Sequence, residues 1–236
     1  MKKRVLLKLS GEALGSDHDV FDIDKLNELA KEIKEIVDEG KEVAIVCGGG
    51  NFVRGRTLEK LGIDRVKSDY MGMLGTIINA MALESVLKNH GIKAKALSAL
   101  DVAKVESYDQ EKSRQYLDDG YVTIFGGGIA WPYFSTDTTS ALRAIENHCE
   151  LILMAKNGTD GVYDSDPKLN PQAKRYDSLD YDTIIEKQLN VIDMTAAIML
   201  KEHNLDSFVF DMNIKGNIKK AINKECLGTI IKTKEN

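Results

Sequence analysis

The chain has 236 residues, of which 43% are apolar and 29% charged, and a formal net charge of −5. This suits one folded domain, or two lobes sharing a sheet, and excludes low-complexity disorder. The acidic balance argues against general nucleic-acid binding, which relies on basic surface to displace counterions, and no run of about 18 apolar residues marks a membrane span.

Arg4–Leu9 reads as a buried strand. MKKRVLLKLSGEA opens like a signal peptide, but Lys8 breaks its apolar stretch. Leu26, Leu29, Ala30, Ile33, Ile36 and Val37 recur at helical spacing and predict a helix over Asp24–Glu39, capped by Asp22 or Asp24 and closed by Gly40. Val43–Cys47 is strand two, completing a right-handed crossover. The pattern then repeats: helix Asp69–Asn89, strand Lys93–Leu97, helix Gln110–Asp119, strand Tyr121–Phe125, helix Thr138–Asn147, strand Leu151–Met154. Asp69, Asp137 and Asp193 read as helix N-caps. The 156–181 stretch, with two of the three prolines, is a long ordered loop or a hairpin excursion. Helices at Tyr181–Lys187 and Met194–His203 follow, then strand Ser207–Phe210, helix Lys215–Asn223 and strand Gly228–Ile231. The alternation predicts an α/β fold with a mainly parallel sheet and helices on both faces.

Cys47, Cys149 and Cys226 form no CxxC pair, which suits free thiols in a reducing, cytoplasmic setting. Cys47 reads as core filler. His18, His90, His148 and His203 show no metal-binding spacing, so neither a protein-ligated zinc nor a histidine triad is expected.

Three strands end in small-residue turns: Lys8-Leu9-Ser10-Gly11, Gly48-Gly49-Gly50-Asn51 and Gly126-Gly127-Gly128. In open parallel sheets ligands bind at the carboxyl ends of strands, and glycine there lets backbone N–H groups approach an anion. Three such loops point to a polyanionic, phosphorylated ligand. Neither GxGxxG nor GxxxxGK[ST] occurs, which excludes a Rossmann dehydrogenase and a P-loop kinase. Lys8 either buries its stem and leaves its head at the sheet end, or serves as a cation on a transferring phosphoryl group. Arg54 could reach a phosphate from the next loop, and the hydroxyls of Ser135 and Thr136 stand at a helix start.

KLSGEAL at 8–14, GGGNFVRG at 48–55, DYMGML at 69–74, PYFSTDTTSALRA at 132–144, DGVYDSDP at 160–167 and VID at 191–193 together resemble the bacterial uridylate (UMP) kinases of the amino-acid kinase superfamily. The likeness runs over about residues 4–231 and implies a three-layer α/β/α sandwich: one domain over 1–236, with a UMP lobe at 1–155 and an ATP lobe at 156–236. It implies ATP + UMP ⇌ ADP + UDP with Mg²⁺ carried by ATP and no metal ligand assigned to the protein. On the ATP side it places Lys8, Leu9, Ser10, Gly11, Gly50, Arg54, Asn157, Tyr163 and Asp166. On the UMP side it places Gly49, Asp69, Ile129, Ala130, Trp131, Pro132, Tyr133, Phe134, Ser135 and Thr136, with Asp69 on ribose hydroxyls. Lys8, Arg54, Asp137 and Asp193 would be catalytic, the carboxylates orienting active-site cations. The family also implies a homohexamer, with GTP and UTP as effectors and Lys88 and Lys95 as candidate GTP contacts; it implies no nucleic-acid or membrane partner.

Family members usually carry Gly-Thr-Gly-Asn-Pro where this chain has Gly128-Ile129-Ala130-Trp131-Pro132. Trp131, the only tryptophan, reads either as packing at a subunit contact or as a change in nucleotide coupling. Competing readings are a carboxylate or carbamate kinase, a non-catalytic nucleotide sensor and a DNA-binding regulator; the last is disfavoured by the acidic charge.

Overall fold

A computed structural model describes residues 4–16, 18–53, 58, 60–165, 167 and 169–233. The strands are β1 (Arg4–Leu9), β2 (Glu42–Cys47), β3 (Ala94–Ser98), β4 (Glu106–Ser107), β5 (Val122–Gly126), β6 (Leu151–Lys156), β7 (Val162–Tyr163), β8 (Arg175–Tyr176), β9 (Ser178–Asp180), β10 (Asp206–Asp211) and β11 (Gly228–Lys232). The helices described over their full span are α1 (Ile23–Asp38), α2 (Arg65–Asn89), α3 (Gln110–Asp118), α4 (Thr136–Glu146), α5 (Tyr181–Lys187), α6 (Met194–Glu202) and α7 (Asn217–Ile222), with a 3-10 turn at Gly11–Ala13.

Among the described residues, nine strands form one sheet in the order β4-β3-β5-β2-β1-β6-β10-β11-β9. Every neighbouring pair is parallel except β10 and β11. Strands β5, β2 and β1 are adjacent, so the three glycine turns stand side by side at one sheet edge. The 156–181 stretch takes the hairpin form: β7 and β8 pair antiparallel, and β9 then joins the far edge of the main sheet.

Alternation along the strands sorts the core into two layers. Val5, Leu7 and Leu9 of β1 pack with α1, α2 and α7, whereas Leu6 packs with α3, α4, α5 and α6. Helices therefore cover both faces, the expected three-layer arrangement. Helix α2 is the one described helix long and apolar enough to cross a membrane by length and composition. It lies on the sheet, burying Met73, Ile77, Ala80, Leu83 and Leu87.

Two expected helix starts are corrected. Helix α2 begins at Arg65, four residues before the expected start, because the Asp64 side chain accepts the Lys67 N–H at 3.1 Å and caps it. Asp69 thus lies inside the helix and is not a cap. Helix α4 is capped by Ser135, which leaves Asp137 in its first turn. Asp193 does cap α6, and Asp22 caps α1. Cys47 is buried in the core as expected, and burial raises its thiol pKa to about 12.

Candidate active site

The pleat of β1 positions Lys8. It turns with Leu6 toward the α4 side, where its Nζ lies 2.8 Å from Oδ1 of Asp137; the two side chains are 13% and 19% exposed. Ser135 accepts the N–H groups of Asp137 and Thr138 at 2.9 and 3.2 Å. Its hydroxyl donates to Asp193, which also accepts Thr138 N at 3.1 Å, Thr138 Oγ1 at 2.9 Å and Ala196 N at 2.9 Å. Asp193 therefore locks the N-termini of α4 and α6 together while α4 presents Asp137 to Lys8.

The glycine turns are packed to backbone contact. A Cβ on Gly11 would lie 2.5 Å from Gly50 N and 2.7 Å from Gly48 O; one on Gly49 would lie 2.5 Å from Gly72 O. Glycine is required there by close approach. Behind the turn, Asn79 of α2 donates to Gly48 O at 2.8 Å and exchanges two 2.9 Å hydrogen bonds with Asn51.

A cavity of about 410 Å³ opens beside these turns, lined by Gly49, Gly50, Arg65, Asp69, Trp131, Phe134, Ser135 and Thr136 among others. The Asp69 carboxylate takes Nε of Arg65 at 2.8 and 2.9 Å and the N–H of Tyr133 at 2.7 Å. It thus fastens α2 to the 129–136 loop. Ala130 and Tyr133 sit at φ 68° and 73°, the left-handed region that disfavours side chains. Ala130 therefore does adopt the glycine-like backbone that its side chain opposes. Trp131 is 67% exposed at the cavity mouth.

A second cavity, about 640 Å³, shares Gly50 and includes Asn157. A third, about 550 Å³, holds Tyr163 and Lys156. The Tyr163 hydroxyl donates to Asp160 at 2.6 Å, which raises the phenol pKa. Asn157 and Tyr163, which the resemblance puts together on the ATP side, thus line different cavities. The Leu9 side chain is buried in the α1–α2 core, so only its backbone faces the turns, its carbonyl accepting the Gly48 N–H at 3.0 Å. Arg54 and Asp166 lie outside the described residues. Lys88 is paired with Glu84 at 2.9 Å and Lys95 with Glu106 at 2.6 Å.

Sequence reasoning missed Arg65, Asn79, Thr138 and Lys156. Arg65 could have been found as the residue one turn before Asp69 on the same helix. The others have long-range partners that leave no local pattern. Among the described residues no cluster of three or more His, Cys, Asp or Glu side chains could hold a metal ion.

Adjacent glycine turns, a lysine–aspartate pair at the sheet edge and helix N-termini tied by one carboxylate define a phosphate-handling α/β site. The model of the amino acid kinase family matches residues 3–211, and the chain belongs to that family. A uridylate kinase of Streptomyces avermitilis is 46% identical over 98% of this chain and 92% of its own length. The crystal structure of UMP kinase from Ureaplasma parvum superposes with a TM-score of 0.95 at 37% identity, covering 99% of this chain and all of that one. The UMP kinase structure from Bacillus anthracis gives 0.95 at 40% identity, covering 99% and 97%. Within the family, the chain groups with the uridylate kinases.

Proposed function

We propose that this chain transfers the γ-phosphoryl group of ATP to UMP, giving ADP and UDP. The carrying observation is the Lys8–Asp137 pair at the strand edge that carries the glycine turns, with Gly50 of those turns lining both the cavity that contains Asp69 and the cavity that contains Asn157. The acceptor phosphate is already an anion, so the reaction needs no general base and the site needs no catalytic histidine or cysteine. Its task is to align two mutually repelling polyanions, which cations and backbone N–H groups do by position and field. Lys8 supplies positive charge at the transferring group, and Asp137 holds its ammonium in place. Thr136, at the start of α4 and lining the same cavity as Asp69, offers its hydroxyl to the UMP phosphate, while the Ser135 hydroxyl stays on Asp193. Asp69 takes ribose hydroxyls, exchanging the Tyr133 N–H for them.

Mg²⁺ fits as an ion carried by ATP. It keeps several waters and needs only one or two carboxylates alongside the phosphates, and the carboxylates nearest Lys8 are already engaged by Lys8, Ser135 and Thr138. Bound Mg²⁺ would offset phosphate charge. Residues 1–155 form the UMP lobe and 156–236 the ATP lobe. Tyr70, Met71, Leu74, Ile78 and Met81 form an exposed apolar stripe on α2, which supports self-association, read here as a homohexamer. GTP and UTP act as effectors, and the setting is cytoplasmic.

The test is ADP release from Mg-ATP with UMP, CMP, carbamate, aspartate or N-acetylglutamate as acceptor, with and without GTP or UTP. UMP-dependent release is expected. Release with a carboxylate or carbamate alone would assign a different acceptor, and tight UMP binding without release would indicate a sensor. Light scattering reads the oligomer.

A further inference from the structure

We propose that Lys156 is a second catalytic cation, its Nζ binding the ATP phosphates on the leaving-group side of the transferring phosphoryl group while Lys8 stands at the transferring group itself. The inference rests on the ATP:UMP reaction proposed above.

Position is the first argument. Ile152 and Met154 of β6 pack in the same layer as Leu6, so Lys156 continues that side of the strand. Lys8 lies on it too, and Lys8 pairs in register with Met154, which puts Lys156 one pleat repeat farther toward the ligand edge. Lys156 also lines the cavity that holds Tyr163. It therefore lies where a nucleotide running from that cavity to Lys8 must pass.

Valence is the second argument. An ammonium carries three donors. Among the described residues Lys156 makes one hydrogen bond, from Nζ to the carbonyl of Val191 at 3.0 Å, and no ion pair. Lys156 is half-buried, and a cation drawn out of water without a carboxylate partner is costly unless a ligand completes it. Burial lowers the Lys156 pKa and the charge of Lys8 lowers it further, while Asp137 opposes them. Asp211, opposite in register on β10, spends Oδ1 on the N–H groups of Gly158 and Asn213. Asp193, two residues past Val191, is engaged with the start of α4.

In the transfer step a UMP phosphate oxygen forms a bond to the γ-phosphorus as the bond to the β,γ-bridging oxygen breaks. The electron pair of the broken bond stays on that oxygen, now part of the ADP β-phosphate. No proton moves, and the charge gathered there is offset by Lys156.

The test uses the full chain, with initial rates at varied ATP and UMP for wild type, Lys156→Met and Lys156→Arg. Lys156→Met is expected to lower kcat about 100-fold or more, the effect typical of removing one electrostatic donor, with its UMP affinity held within about threefold. Wild-type kcat/KM for ATP should fall on the alkaline side from below the usual lysine value of 10.5, as Lys156 loses its proton. In Lys156→Arg that limb should move up, since arginine stays charged. A folded Lys156→Met with kcat within about threefold of wild type overturns the proposal. So does a wild-type profile without that limb, which needs no variant to fold, or a limb unmoved in Lys156→Arg. A wild type that releases no ADP from ATP and UMP overturns the reaction itself, a separate failure.

Discussion

Asn79 should be the most consequential residue outside the ligand cavities. Its side chain is fully buried in α2 and takes part in three hydrogen bonds: one to Gly48 O at 2.8 Å and two exchanged with Asn51 at 2.9 Å. Asn79→Ala removes all three. At about 1 kcal/mol net per bond the loss is about 3 kcal/mol, and the Gly48 carbonyl left unpaired under α2 pushes it higher. For a domain of this size that corresponds to a melting temperature lower by about 6–12 °C. Asn51→Ala keeps the bond to Gly48 O but removes the two with Asn79 and one to Val20 O at 3.0 Å, so it too should lose about 3 kcal/mol. Activity should fall with stability, because the same bonds hold the turn carrying Gly49 and Gly50, and a 1 Å misplacement can cost about 100-fold. Thermal unfolding by circular dichroism, with urea titrations and initial rates on the same samples, measures both. The reasoning is refuted if Asn79→Ala melts within about 2 °C of wild type and keeps its kcat.

Lys8→Ala should lower kcat about 100-fold or more and leave KM for UMP within about threefold, read from initial rates; near-normal turnover removes the role of the lysine. Gly11→Ala places a Cβ 2.5 Å from Gly50 N and 2.7 Å from Gly48 O, both backbone, so soluble yield and activity should collapse together; a normally active variant shows that the turns can part. Glu106 is held below its usual value of 4.5, chiefly by its hydrogen bond with Lys95 and also by Tyr116. It therefore adds stability above that value and loses it as pH falls through the lower folded value. Unfolding free energies of wild type and Glu106→Gln should converge on acidification, and a constant gap down to pH ~2 contradicts this.

The residues legible in the sequence carry their signal locally. Glycine after an apolar run marks a turn that backbone must approach, which is why all three turns were found. Asp193 was legible as a cap because it directly precedes a helical stretch. Asp64 and Ser135 were missed as caps for the opposite reason: Asp64, Ser68 and Asp69, like Ser135, Thr136 and Asp137, are small polar residues clustered near one helix start, and spacing alone does not choose among them. Strands β4, β7, β8 and β9 have two or three residues each, too few for a period of two to show. Lys156 closes a strand that reads as ending at Met154. Only the pairing of Lys8 with Met154, across more than 140 residues of chain, shows that both lysines share a side of the sheet.

That sharing explains how a chain of net charge −5 can hold two polyanions. The charges that matter are sorted by the pleat rather than by overall composition. Strand alternation sends Lys8 and Lys156 to the side covered by α4 and α6, whose N-termini bring their own partial positive charge toward an anion. The carboxylates there are already engaged by protein groups. Asp193 spends its oxygens on the hydroxyls and N–H groups of Ser135, Thr138 and Ala196. Asp137 approaches Lys8 through one oxygen from the first turn of α4, which fixes the ammonium without enclosing it. Neutralising Asp193 should therefore slow turnover by loosening α4, whereas neutralising Lys8 removes field directly. The first variant should lose melting temperature and kcat in proportion, and the second should lose far more kcat than its own loss of melting temperature accounts for.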